Sequence, residues 1–260
     1  MSEAAALQLR FDGRWLQSVF LFSLRLGPLF VLAPVFGFAD FPVRLRILLV
    51  FAFAVLLVAA VAPAPPPPLT GTGALFAAAA GELTLGAALA FGLMAAFAAF
   101  EFGGRVLDIQ IGFGVATLFD PASRAQGPLL GTAFNLLAIA VFFAVDGHHA
   151  IVRAVADSMI RVPPGAGLEH LDVGVMVAQF GSMFGFGLAL IAPALVALLL
   201  LDIAFAVVAR TMPQMNIFIV SMPIKVAIGL FVMALAMRSL GPLLQQVFGA
   251  LPDYWRQVVR

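Results

Sequence analysis

Apolar residues run through this chain in long blocks. Six stand out: Trp15–Phe38, Ile47–Ala62, Leu69–Phe100, Ala125–Val145, Val173–Leu201 and Ile217–Met237. All but Ile47–Ala62 reach the roughly 20 residues that a helix needs to cross the hydrocarbon core of a bilayer. Val173–Leu201 carries no charge at all. Prolines break the blocks repeatedly, at Pro28, Pro34, Pro193, Pro213 and Pro223. In a membrane the backbone groups freed by a proline must be satisfied by neighbouring helices or water. The pattern therefore predicts an all-α integral membrane protein of about six hydrophobic segments, folded as kinked helical hairpins sheltered by other protein. The run Pro63–Pro68 predicts a stiff, polyproline-like loop.

One stretch departs from this pattern. Glu101–Pro128 carries Glu101, Arg105, Asp108, Asp120 and Arg124 among glycines, prolines and large apolar side chains. Irregular backbone of that kind cannot face lipid, because its N–H and C=O groups would go unpaired. The stretch is predicted to sit in water, against protein or in a polar cavity. Its large apolar side chains are Ile109, Ile111, Phe113 and Phe119.

Composition sharpens the class. Of 260 residues 63% are hydrophobic and 10% charged, and the mean hydropathy is +1.11. A soluble domain carries about a quarter charged residues, so a solvated surface is excluded. The absence of cysteine removes disulfides and thiolate chemistry. A formal net charge of +1 offers no field for nucleic acid. The N-terminus lacks the pattern of a cleaved signal peptide. Six spans would put seven arginines on one side, Arg153, Arg161 and Arg256 among them, and five on the other. That split is too small to fix the orientation.

Three charges fall inside apolar blocks: Arg25, Glu82 and Lys225. Each costs about 2.5–3.5 kcal/mol at a helix centre, so each is expected to face protein or water. A proton relay or ion path is one reading, and would make the chain an ion or small-solute secondary transporter. Their dispersal, and the lack of an internal repeat, favour buried charges that fix packing. His148–His149 and Asp157–Ser158 raise a metal site or a hydrolase. Adjacent histidines on a helix diverge, and no nucleophile elbow is present. The pair reads as a loop at the membrane surface, and no catalytic, metal or cofactor residue is assigned.

A series of short matches in fixed order covers essentially the full length. It begins with Arg25, Ala33–Gly37 and Pro42, Arg44 and Arg46, and continues with Glu82, Gly86, Asp108–Gly112 and Asp120–Pro121. Gly147–His149, Asp157–Ser158, Pro193 and Asp202 follow, then Arg210, Met212–Asn216, Pro223 and Lys225. In this the chain resembles the FliR family of type III export-apparatus membrane proteins. The resemblance implies a non-catalytic structural and gating subunit of the flagellar export gate, in the basal body at the bacterial inner membrane. The implied partners are FliP and FliQ homologues in a hetero-oligomer, FlhA and FlhB homologues, unfolded flagellar export substrates and membrane lipid. It further implies one domain over residues 1–260, with a FliP-like N-terminal and a FliQ-like C-terminal portion meeting near 200–215. The stretch Ile109–Pro121 matches the family's pore plug, giving Ile109, Ile111, Gly112, Phe113, Gly114, Leu118 and Phe119 as gating residues. A subunit of a virulence injectisome shares the architecture; Gly147-His148-His149 favours the flagellar member.

Overall fold

A computed structural model describes residues 13–37, 42–64, 66–67, 71–113, 128–166 and 171–259, the side chains of 237–240 excepted. The described residues form nine helices and one isolated β-bridge. They are α1 (Gly13–Leu32), α2 (Pro34–Gly37), α3 (Val43–Val61), α4 (Thr72–Ile111), α5 (Leu129–Ala144), α6 (Gly147–Arg161), α7 (Val173–Thr211), α8 (Ile217–Gly249) and α9 (Leu251–Val258). Pro28, Pro193 and Pro223 lie inside continuous helices, whereas Pro34 and Pro213 fall at breaks. The end of α3 is set by Ala62, which takes the left-handed conformation (φ 45°) just before the proline run.

Among the described residues five helices are long and apolar enough to span a membrane, and there are six spans if α5 and α6 count as one broken span. The fold is that of an all-α integral membrane protein. At about 1.5 Å per residue, the 40 residues of α4 reach about 60 Å, twice the ~30 Å hydrocarbon core. The 16 residues of α5 fall short of that thickness.

Two expectations need correction. The central stretch is not irregular from Glu101 onward: α4 continues through Ile111. Glu101 and Arg105 sit one turn apart and pair with each other at 2.8 Å, so the charges ride on the helix rather than end it. Likewise His148 and His149 are not in a loop. They open α6, with ring centroids 4.1 Å apart.

The chain divides into two compact units. The first comprises residues 1–94, 148–177 and 252–260. In it α1 packs on α3, with Phe30 and Phe53 rings 5.8 Å apart. The first half of α4 crosses α1 where a Cβ added to Gly86 would overlap the Arg25 carbonyl. Only glycine permits that approach. The C-terminal helix α9 is stapled to α4: the Tyr254 hydroxyl donates to the Ala88 carbonyl at 2.7 Å and the Trp255 indole N–H to that of Leu89 at 3.1 Å. Gly92 leaves room for the Tyr254 ring. Burial there pushes the Tyr254 pKa above the ordinary tyrosine value. The Asp172 N–H bonds to the Val258 carbonyl beside the Leu171–Val259 bridge, tying down the chain end.

The second unit comprises residues 95–147 and 178–251. Its core is aromatic, with Phe97, Phe142 and Phe248 in mutual contact at ring distances of 5.3–5.6 Å. Gly104 meets Gly131 backbone to backbone, and Gly103 meets the Gly187 carbonyl. These small-residue contacts bring α5 and α7 against α4, the close approach that membrane helices favour.

Candidate functional site

Among the described residues the most buried charge is Arg25, with no exposed surface, and Glu82 beside it is 1% exposed. The guanidinium of α1 meets the carboxylate of α4 two-pronged: Nε to Oε2 at 2.6 Å and Nη2 to Oε1 at 3.0 Å. This fork-to-fork geometry is the strongest arginine–carboxylate arrangement. The remaining donors reach the end of α6. Nη1 bonds the Ser158 carbonyl at 3.0 Å, and Nη2 the Val162 carbonyl at 2.9 Å. The Ser158 carbonyl also accepts the Val162 N–H at 2.9 Å, and the Val162 carbonyl lies just past the last residue of α6; a cation at this end is favoured by the helix dipole. Glu82 Oε1 additionally accepts from the Gly165 N–H at 2.8 Å, and the guanidinium lies 5.7 Å from the Phe22 ring centroid. One polar node thus joins α1, α4, α6 and the loop after α6. Glu82 and Gly86 are one turn apart on α4, so the glycine that admits α1 also aligns the pair.

Asp108 repeats the device in the second unit. It is buried, one turn beyond Gly104, and its carboxylate accepts from the Leu130 and Gly131 N–H groups at 3.1–3.2 Å. It thereby caps α5, whose own N-cap position is Pro128 and supplies no side-chain acceptor. Lys225 of α8 pairs with Asp202 of α7 at 2.5 Å, their side chains 21% and 43% exposed. Asp202 lies nine residues before the end of α7 and Lys225 eight after the start of α8, so the pair fixes the register of a helical hairpin. Asn216 caps the second arm through the Ile219 N–H.

The expected plug residues divide. Ile109 is 68% exposed, whereas Ile111 has no exposed surface and packs on α8 at Gly229. Gly112 takes a positive φ of 98° that ends α4, and Phe113 is half-buried. Gly114, Leu118 and Phe119 lie outside the described residues.

In the sequence Asp202 stood out only within a matched motif, Asp108 as one charge of the central stretch, and Ser158 beside Asp157, none of them as a helix tie. A carboxylate one turn from a glycine, in an apolar helix, is the signal that marks both Glu82 and Asp108.

The fold and these inward-turned ties define a helical membrane protein in which polar groups fix helix crossings. From residue 16 to residue 251 the sequence matches the family described as bacterial export proteins, family 1, and the chain belongs to that family. It is 29% identical over 171 residues to the flagellar biosynthetic protein FliR of Escherichia coli, covering 65% of this chain and 66% of that protein. To FliR of Bacillus subtilis it is 29% identical over 178 residues, covering 66% and 68%. The Yop proteins translocation protein T of Yersinia pestis is 28% identical over 150 residues, covering 56% of this chain and 58% of that protein. The matched stretches span about two thirds of the length of the flagellar relatives.

Proposed function

We propose that the chain is a structural and gating subunit, without catalysis of its own, of a flagellar type III protein-export channel in the bacterial inner membrane. The observation that carries this reading is the family match over residues 16–251, together with FliR proteins among its relatives. The use of its intramembrane charges supports it. Arg25 and Glu82 are spent on each other and on backbone carbonyls and amides, and Lys225 on Asp202. Groups so engaged are structural ties rather than a proton path, which counts against a secondary transporter.

The partners of this reading are FliP and FliQ homologues in one hetero-oligomer, FlhA and FlhB homologues beside it, and unfolded flagellar subunits as cargo. Large apolar side chains on α3, α7 and α8 are exposed, among them Leu48, Val177, Val196, Ile219 and Phe231, as lipid or partner subunits require. Residues up to about 200–215 form the FliP-like portion and the rest the FliQ-like portion. The relative from Yersinia keeps a virulence injectisome as the second reading. In a strain deleted for the chain, export of flagellar subunits is expected to stop and to return with the wild-type gene. Intact flagellar export would refute the flagellar reading.

On this reading the plug is the Ile109–Pro121 stretch, and its bulky apolar residues and glycines support that assignment. Replacing Phe113 and Phe119 by alanine is expected to make the isolated assembly leakier to small ions in planar bilayers. Unchanged conductance would move the plug elsewhere.

A further inference from the structure

Within the first unit, α6 and α9 enclose a cleft of about 220 Å³. Arg153, Asp157 and Arg161 recur every fourth residue along α6, on one face, and Arg256 enters from α9. The charged lining is thus three guanidiniums against one carboxylate. Arg161 is steered by one bond, Nη1 to the Arg256 carbonyl at 2.8 Å. Arg256 is held by Asp253, outside the cleft, and by the Pro252 carbonyl. Arg153 has no ion pair or side-chain hydrogen bond among the described residues. Trp255 forms a fixed wall, because its indole N–H is committed to Leu89. Ser158 and alanine, proline and valine side chains complete the lining.

We infer that this cleft binds a phospholipid headgroup, with the arginines on the phosphodiester and Asp157 on the headgroup's own hydrogen-bond donors. Surplus positive charge in a confined space calls for an anion, and the guanidinium fork matches phosphate oxygens. The volume lies below the several hundred Å³ of a drug-sized ligand site and suits a headgroup. The apolar lining favours a molecule that continues into glycerol and acyl chain over free phosphate. Location agrees: Arg153 comes nine residues after the apolar helix α5 ends, where basic side chains meet headgroups at a bilayer surface. Asp157 sets the selectivity. It accepts from the hydroxyls of phosphatidylglycerol or the ammonium of phosphatidylethanolamine, and finds no donor on phosphatidylcholine.

The inference rests on the membrane fold and not on the export reading. Its test is native mass spectrometry of the full chain in its detergent-extracted assembly, with each of the three lipids supplied in turn. Phosphatidylglycerol and phosphatidylethanolamine are expected to be retained at least about ten-fold better than phosphatidylcholine. Arg153→Gln, an exposed change that breaks no bond seen in the fold, is expected to lower retention of both about ten-fold. Asp157→Asn should erase the discrimination against phosphatidylcholine. Millimolar inorganic phosphate should leave the lipid in place. Equal retention of all three lipids, an Arg153→Gln variant that binds as wild type, or displacement by phosphate alone would each overturn the inference.

Discussion

Arg25 is the residue on which the first unit turns. A buried guanidinium is tolerable only when its donors are used, and here they reach Glu82, Ser158 and Val162. Glu82→Ala is therefore expected to cost about 3–5 kcal/mol, since it strands the arginine in a dry site. Thermal unfolding of the purified assembly, or its yield, reads this directly. The paired change Arg25→Met with Glu82→Leu is expected to recover most of the loss, because an apolar pair of similar volume removes the desolvation cost. If Glu82→Ala alone assembles and melts as wild type, the node is not the tie described. That these charges turn inward was legible in the sequence, since lipid excludes them. Their partners were not: Arg25 and Glu82 are 57 residues apart, and only the crossing at Gly86 makes them neighbours.

At the scale of elements, α4 carries the design. Along its length lie Glu82, Gly86, Gly92, Gly104 and Asp108, each at a crossing or a cap. Asp108→Ala is expected to lose about 0.5–2 kcal/mol of local stability by uncapping α5. Amide hydrogen exchange should accelerate at residues 130–134, while Asp108→Asn, which keeps an oxygen acceptor, should lose less. Uniform exchange in both variants would mean that α5 is held elsewhere. The sequence pattern ended this helix too early, at Phe100, because charge density rises there. In the fold Glu101 and Arg105 satisfy one another on the helix surface and Asp108 turns inward, so none of the three stops it. The same rule misjudged α8, which continues past Met237 to Gly249. Apolar block length marks what lipid tolerates; helix length follows from capping and neighbours, which a single sequence does not display.

For the whole molecule, the exposed apolar faces of α3, α7 and α8 and the half-exposed Asp202–Lys225 pair describe a chain built to be covered. An ion pair on an otherwise apolar helical hairpin is costly against hydrocarbon, and a neighbouring subunit or an aqueous channel removes that cost. The proposed membership in a hetero-oligomeric export assembly is open to native mass spectrometry of the complex extracted after co-expression with the FliP and FliQ homologues. This 27.3 kDa chain is expected as one component of a larger particle that also holds both homologues. A stable monomer or homodimer, free of either homologue, would contradict it.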